Sequence, residues 1–219
     1  MNTEDLISRI RVQYTKGHNL RFTGHLDMQR IWERLLRRSG LPVRYSQGFH
    51  PRARLNLASA LPLGFISEAE LLDFWMNEPL SLKEIQAKLV SAAPPDLEIK
   101  KVDFADLHEK SLQSQMSASE FEIQFFEPQD PKTLQEKINS LLNQDAIIRI
   151  RRKKTYDLLP LILNLDIFTH DSGEIGLKAH LKAEPGATGR PDEILDEIGY
   201  ANTEYVVKRT QLILSTGNG

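Results

Sequence analysis

Residues 20–64 read LRFTGHLDMQRIWERLLRRSGLPVRYSQGFHPRARLNLASALPLG, and the punctuation of this stretch decides the fold. Gly24 is a permissive N-cap. Asp27, at the third helical position, can reach back to free backbone N–H groups and complement the helix dipole. The spacing predicts a helix over 25–39, stopped by Gly40 and Pro42. At about 100° per residue, Met28, Ile31, Trp32, Leu35 and Leu36 share one face, and Arg30, Arg34, Arg37 and Arg38 fall on the other. The first face meets a core; the second meets water or an anion.

Working outward, Gly48, Phe49, His50 and Pro51 mark a turn. Residues 52–58 then alternate Ala53, Leu55 and Leu57 with Arg52, Arg54 and Asn56, which predicts a strand with a basic outer face. Upstream, Ile10, Val12 and Tyr14 alternate with Arg9, Arg11 and Gln13, the pattern of a half-buried strand. Downstream, the apolar run 69–76 predicts a central strand. Ser81 with Glu84 forms a capping box ahead of a helix that Pro94 and Pro95 end, and residues 97–104 make a further strand. The order β-α-β-β-α-β is that of a ferredoxin-like domain over 1–107.

The polar, weakly periodic residues 108–118 read as a linker. Beyond them the element order recurs over 119–214, with one extra strand. Strands are expected at 121–125, 146–151, 158–168, 175–181 and 204–214, and helices at 131–143 and 191–198. The predicted fold class is α+β, two tandem ferredoxin-like units with helices on one face of antiparallel sheets. Residues 215–219 are expected to be a disordered tail.

The 219 residues contain no cysteine, which excludes disulfides, thiolate metal sites, a Cys nucleophile and a Cys-ligated iron–sulfur cluster in this chain. No basic-then-apolar leader opens the sequence and no apolar run approaches the ~20 residues of a membrane helix, so a cytoplasmic location away from membranes is expected. The net charge of -2 conceals an asymmetry. Residues 1–60 hold eleven Lys and Arg, ten of them Arg, against Glu4, Asp5, Asp27 and Glu33. The arginine fork suits phosphate and carboxylate.

Two basic clusters are therefore candidate nucleic-acid contacts. One comprises Arg9, Arg11, Arg30, Arg34, Arg37, Arg38, Arg52 and Arg54; the other comprises Arg149, Arg151, Arg152, Lys153 and Lys154. Each could instead be a solvated face or hairpin end. Two patches on successive domains suit an elongated anion better than a metabolite. Tyr45 and Phe49 flank the turn and could stack a base. His25 with Asp27, and His50, are the acid/base candidates, without an accompanying nucleophile. His18, His25 and His50 match no metal signature, and neither a metal nor a cofactor is expected in this chain. The 186–192 segment, GATGRPD, could cradle a phosphate, although it lacks the P-loop pattern.

The motif chain RFTGHLD, continued by ERLLRRSGLPVRYSQGFHPRARLNLASALPLGFISEAELLDF, resembles the radical SAM-linked proteins, a bacterial domain of unknown function. TGRPDEIL and the Lys208-Arg209-Thr210 ending also resemble that family. Gly24 stands where the family more often has Ser. The resemblance implies a radical SAM protein as partner, and the basic surfaces taken together with it leave three readings. The first is an RNA-binding or substrate-presenting subunit for tRNA or rRNA, and the second an RNA modification or processing enzyme using His25 and His50 as acid and base. The third is a protein-interaction module that docks on the radical SAM partner.

Overall fold

The computed structural model describes residues 7–151, 153–170 and 173–215. Arg152 and residues 216–219 of the expected tail lie outside the described residues. The chain divides into two compact units, with the division in the sequence falling between Gln115 and Met116. Both are α+β, and every strand pairing named below is antiparallel.

Unit 1 contains β1 (Ser8–Lys16), α1 (His25–Ser39), β2 (Leu55–Leu57), β3 (Ile66–Met76), α2 (Leu82–Ala92), β4 (Ile99–Ala105) and the short α3 (Leu112–Gln115). Strand β1 pairs with β3 on one side and β4 on the other. Strand β2 takes the opposite edge of β3, Leu55 facing Phe74, so the order is β4-β1-β3-β2. The period-2 pattern of β1 places Ile10, Val12 and Tyr14 in one core with Met28, Trp32, Leu35 and Leu36 of α1 and Ile85 and Leu89 of α2. The Trp32 indole meets the Tyr14 ring edge-on, centroids 4.8 Å apart.

Helix α1 spans the predicted residues, and Gly40 at φ 64 supplies the left-handed C-terminal residue. Ser81 and Glu84 form the capping box of α2: Glu84 N–H donates to Ser81 Oγ, and Ser81 N–H donates to Glu84 Oε2 at 3.0 Å. The strand expected over 52–58 is shorter. Only Leu55–Leu57 is regular, and Tyr45–Ala53 and Val43–Met76 are single bridges. The stretch 43–57 is thus an irregular hairpin laid on β3. In the stretch expected to link the units, α3 forms and the next strand begins at Met116.

Unit 2 contains β5 (Met116–Phe125), α4 (Pro131–Leu142), β6 (Ile148–Arg151), β7 (Lys154–Asp157), β8 (Ile162–Thr169), β9 (Ile175–Glu184), β10 (Ala187–Thr188), α5 (Pro191–Glu197) and β11 (Tyr205–Leu214). The sheet runs β11-β5-β9-β8, with the two residues of β10 also on β9. Its core includes Ile123, Leu134, Ile138, Leu177, Leu181 and Leu195, with Phe125 against Tyr200 at 4.9 Å. Residues 146–151 were expected to extend this sheet. They pair instead with β7 as a separate two-stranded hairpin, closed by Lys153 at φ 66. Among the described residues no helix is long and apolar enough to cross a membrane.

Candidate nucleic-acid interface

The arginines of unit 1 divide into engaged and available groups. Arg9 is not on a basic surface: it is 2% exposed. Its Nε donates to Asp73 Oδ2 at 2.7 Å, and its other nitrogens donate to the carbonyls of Asp106, Glu109 and Lys110. Arg11 shares Asp73 and adds Glu109 at 2.8 Å. Burial works against the Arg11 charge, but Asp73 and Glu109 outweigh it and raise its pKa above the ordinary value. Neither residue presents a phosphate site. The physical reason is Asp73, fully buried on β3, whose charge must be matched where it lies.

Trp75 of β3 occupies Arg54, whose guanidinium stacks on the indole at 4.4 Å from the centroid. The arginines of α1 do not form one stripe either. Arg30 pairs with Asp27 at 3.3 Å, and Arg38 donates to the Ala92 carbonyl beside the end of α2. Arg37 turns the other way, because consecutive residues diverge by about 100° on a helix. Among the described residues the side chains of Arg34, Arg37 and Arg52 make no hydrogen bond or ion pair.

Arg37 and Arg52 line one cleft of about 340 Å³ together with Glu33, Tyr45, Phe49, His50, Pro51 and Ala53. The irregular hairpin builds it. Ser46 N–H donates to the Arg52 carbonyl at 2.8 Å, and Arg52 N–H donates to Ser46 Oγ at 3.1 Å, closing the loop 46–52. Gly48 adopts φ 123, a conformation that side-chain-bearing residues rarely take. At the tip Phe49 is 99% exposed. Among the described residues this ring, held in water by a closed loop, has no packing role. Tyr45, 38% exposed, stands at the base of the loop. The turn residues and Arg37 and Arg52 from the sequence-predicted set are therefore brought together. Glu33 was not among the candidates, although its position one turn before Arg37 on the same helix row was the available signal.

The acid/base candidates are not assembled. His25 lies at the start of α1, and Arg37, which shares the cleft with His50, lies twelve residues later. At ~1.5 Å per residue that separation is roughly 18 Å along the helix. His25 borders a different recess, of about 10 Å³, with Tyr14, Lys16, Thr23 and Glu70. Lys16 there is 2% exposed and donates to the carbonyls of Arg21 and Thr23.

The family model described as "Uncharacterized protein conserved in bacteria (DUF2344)" matches residues 9–191, well over half of the chain. The chain belongs to this family. The DUF2344 match takes in the whole of the cleft and the β6–β7 hairpin. No curated protein matches the sequence. A chain in the crystal structure of a Cbf5-Nop10-Gar1 complex is similar in fold, with TM-score 0.50 and 8% identity over 97% of this chain and 51% of that one. The structure of an H/ACA RNP bound to a substrate RNA containing 2'-deoxyuridine gives TM-score 0.44 and 9% identity, over 94% and 47%. An archaeal box H/ACA sRNP Nop10-Cbf5 complex gives 0.44 and 11%, over 95% and 49%. This chain thus spans about half the length of the solved chains it matches, and at 8% identity the first of these likenesses is one of fold alone.

Two of the five cations in the second basic cluster of the DUF2344 chain, Arg149 and Arg151, are paired with acids. Arg149 pairs with Asp196 and Glu197 at 3.3 and 3.1 Å, and Arg151 stacks on Tyr156 and reaches Glu193 at 3.6 Å. Both side chains hold the hairpin to the acidic helix α5. Lys153 and Lys154 remain exposed at the tip. In the segment 186–192, Arg190 forks onto Asp192, so its own loop fills the donor that a phosphate would need.

Proposed function

We propose that the chain binds single-stranded RNA in the cleft between α1 and the 46–52 loop, as a binding or substrate-presenting subunit for tRNA or rRNA. The observation that carries this reading is Phe49, almost fully exposed beside two arginines that are unpaired among the described residues. Stacking on an aromatic face and phosphate contacts from arginine are the two components of single-strand recognition. Arg34, exposed on the outer row of α1, extends the positive surface. The reading of each unit as ferredoxin-like is supported by the shared order 4-1-3-2, with the β6–β7 hairpin as an insertion in the second. The partner would be a radical SAM protein of the same cytoplasm, as the motif chain at 21–74 implies. That partner would supply the chemistry, since this chain has no cysteine for a cluster.

Fluorescence anisotropy with a labelled 12-nucleotide single strand and the corresponding RNA duplex tests this function. Single-strand binding that Phe49→Ala weakens by roughly tenfold supports it, on a stacking contribution of ~1–3 kcal/mol. Preference for the duplex, or indifference to Phe49→Ala, refutes it.

A further inference from the structure

The cleft holds one residue that a phosphate groove should not contain. Glu33 lines it beside Arg37, one helical turn away, and is half-buried. Its Oε1 accepts a long hydrogen bond from Gln29 Nε2 at 3.4 Å, and among the described residues it forms no ion pair. A carboxylate repels the phosphates that Arg37 and Arg52 attract, so it lowers affinity unless the ligand brings hydrogen-bond donors to it. An ionised carboxylate accepts only, and does so best from two parallel N–H groups.

We infer that the cleft selects an unpaired guanine: the base stacks on Phe49, its Watson–Crick edge donates to Glu33, and the adjoining phosphate contacts Arg37 and Arg52. Guanine is the one base that places two donors, N1–H and the N2 amino group, side by side on that edge. Adenine and cytosine place a ring-nitrogen acceptor next to their amino group, which faces the second carboxylate oxygen unfavourably. Uracil flanks its single N–H with two carbonyls. In a single strand that edge is free to be read. The cleft volume, about 340 Å³, lies at the small end of ligand pockets and suits one nucleotide. The inference deepens the single-strand RNA reading and depends on it.

Anisotropy with labelled UUGUU, UUAUU, UUCUU, UUUUU and an inosine oligomer, UUIUU, separates the two. The expected result is that UUGUU binds on the order of tenfold more tightly than the A, C and U oligomers. Inosine, which keeps N1–H and lacks the N2 amino group, should fall between. Glu33→Gln should remove the advantage of UUGUU over the others, with a thermal melt of the variant matching that of the unaltered protein. Equal affinity for all five overturns guanine selection while leaving RNA binding intact. Binding of none of them overturns both.

Discussion

Arg9 on β1 and Asp73 on β3 form an ion pair inside unit 1, Nε to Oδ2 at 2.7 Å, with side chains 1% and 0% exposed. Arg11 donates to the same carboxylate at 2.9 and 3.1 Å. Removing the acid strands a buried guanidinium, the costly half of breaking such a pair. Asp73→Ala is therefore expected to destabilise the protein by about 3–5 kcal/mol, read as a shift of the urea midpoint. A loss below about 1 kcal/mol would mean that the carbonyls of residues 106, 109 and 110 suffice to hold Arg9.

The β6–β7 hairpin should detach at alkaline pH. The Tyr156 hydroxyl is pushed up to about 12, first by burial and then by its hydrogen bond and proximity to Glu193. A phenol whose folded value lies above its unfolded ~10 binds its proton more tightly when folded. Its contribution is thus complete below about pH 10 and lost as pH rises through about 12. Monitored at the tyrosinate absorbance, one step near pH 12 should vanish in Tyr156→Phe. Hydrogen exchange at 148–157 should rise with the same step; protection unchanged through it would remove Tyr156 from the hairpin's attachment.

Gly48 should matter for binding and not for folding. It takes φ 123, and a Cβ built there meets nothing within 4 Å, so Gly48→Ala is expected to relieve its backbone strain by rearranging the exposed loop alone. Phe49 would be displaced from the cleft. The expected outcome is RNA affinity reduced by roughly fivefold or more with an unchanged melting temperature, on a loss of about 1 kcal/mol of stacking. Full affinity in Gly48→Ala would show that the loop conformation does not position Phe49.

How far the sequence carried depends on the range of the interactions concerned. Helix α1 and the capping box of α2 are written in local signals, and their ends lie where Gly24, Gly40, Ser81 and Glu84 place them. The turn 48–51 was legible for the same reason. The burial of Arg9 was not, because its counter-charge lies 64 residues away and the period-2 pattern assigns alternate residues of β1 to an outer face. The strand at 52–58 contracted because only Leu55–Leu57 stay in register with β3. The separate hairpin was hidden by Lys153, which takes a left-handed turn without the Gly or Asn that normally announces one. In the cleft, arginine, histidine and aromatic positions could be named, whereas Glu33 acquired meaning only when the loop was seen to fold beside it.

The salt dependence of RNA binding tests the central claim most directly. Anisotropy of a labelled single-stranded 12-mer is measured across a salt series for the unaltered protein and for Arg37→Gln/Arg52→Gln. If the two arginines each neutralise one phosphate, log K against log salt should flatten by about 1.4 in the double variant, at ~0.7 per phosphate for single strands. An identical slope in the two proteins, or a salt-independent affinity in both, would contradict the account.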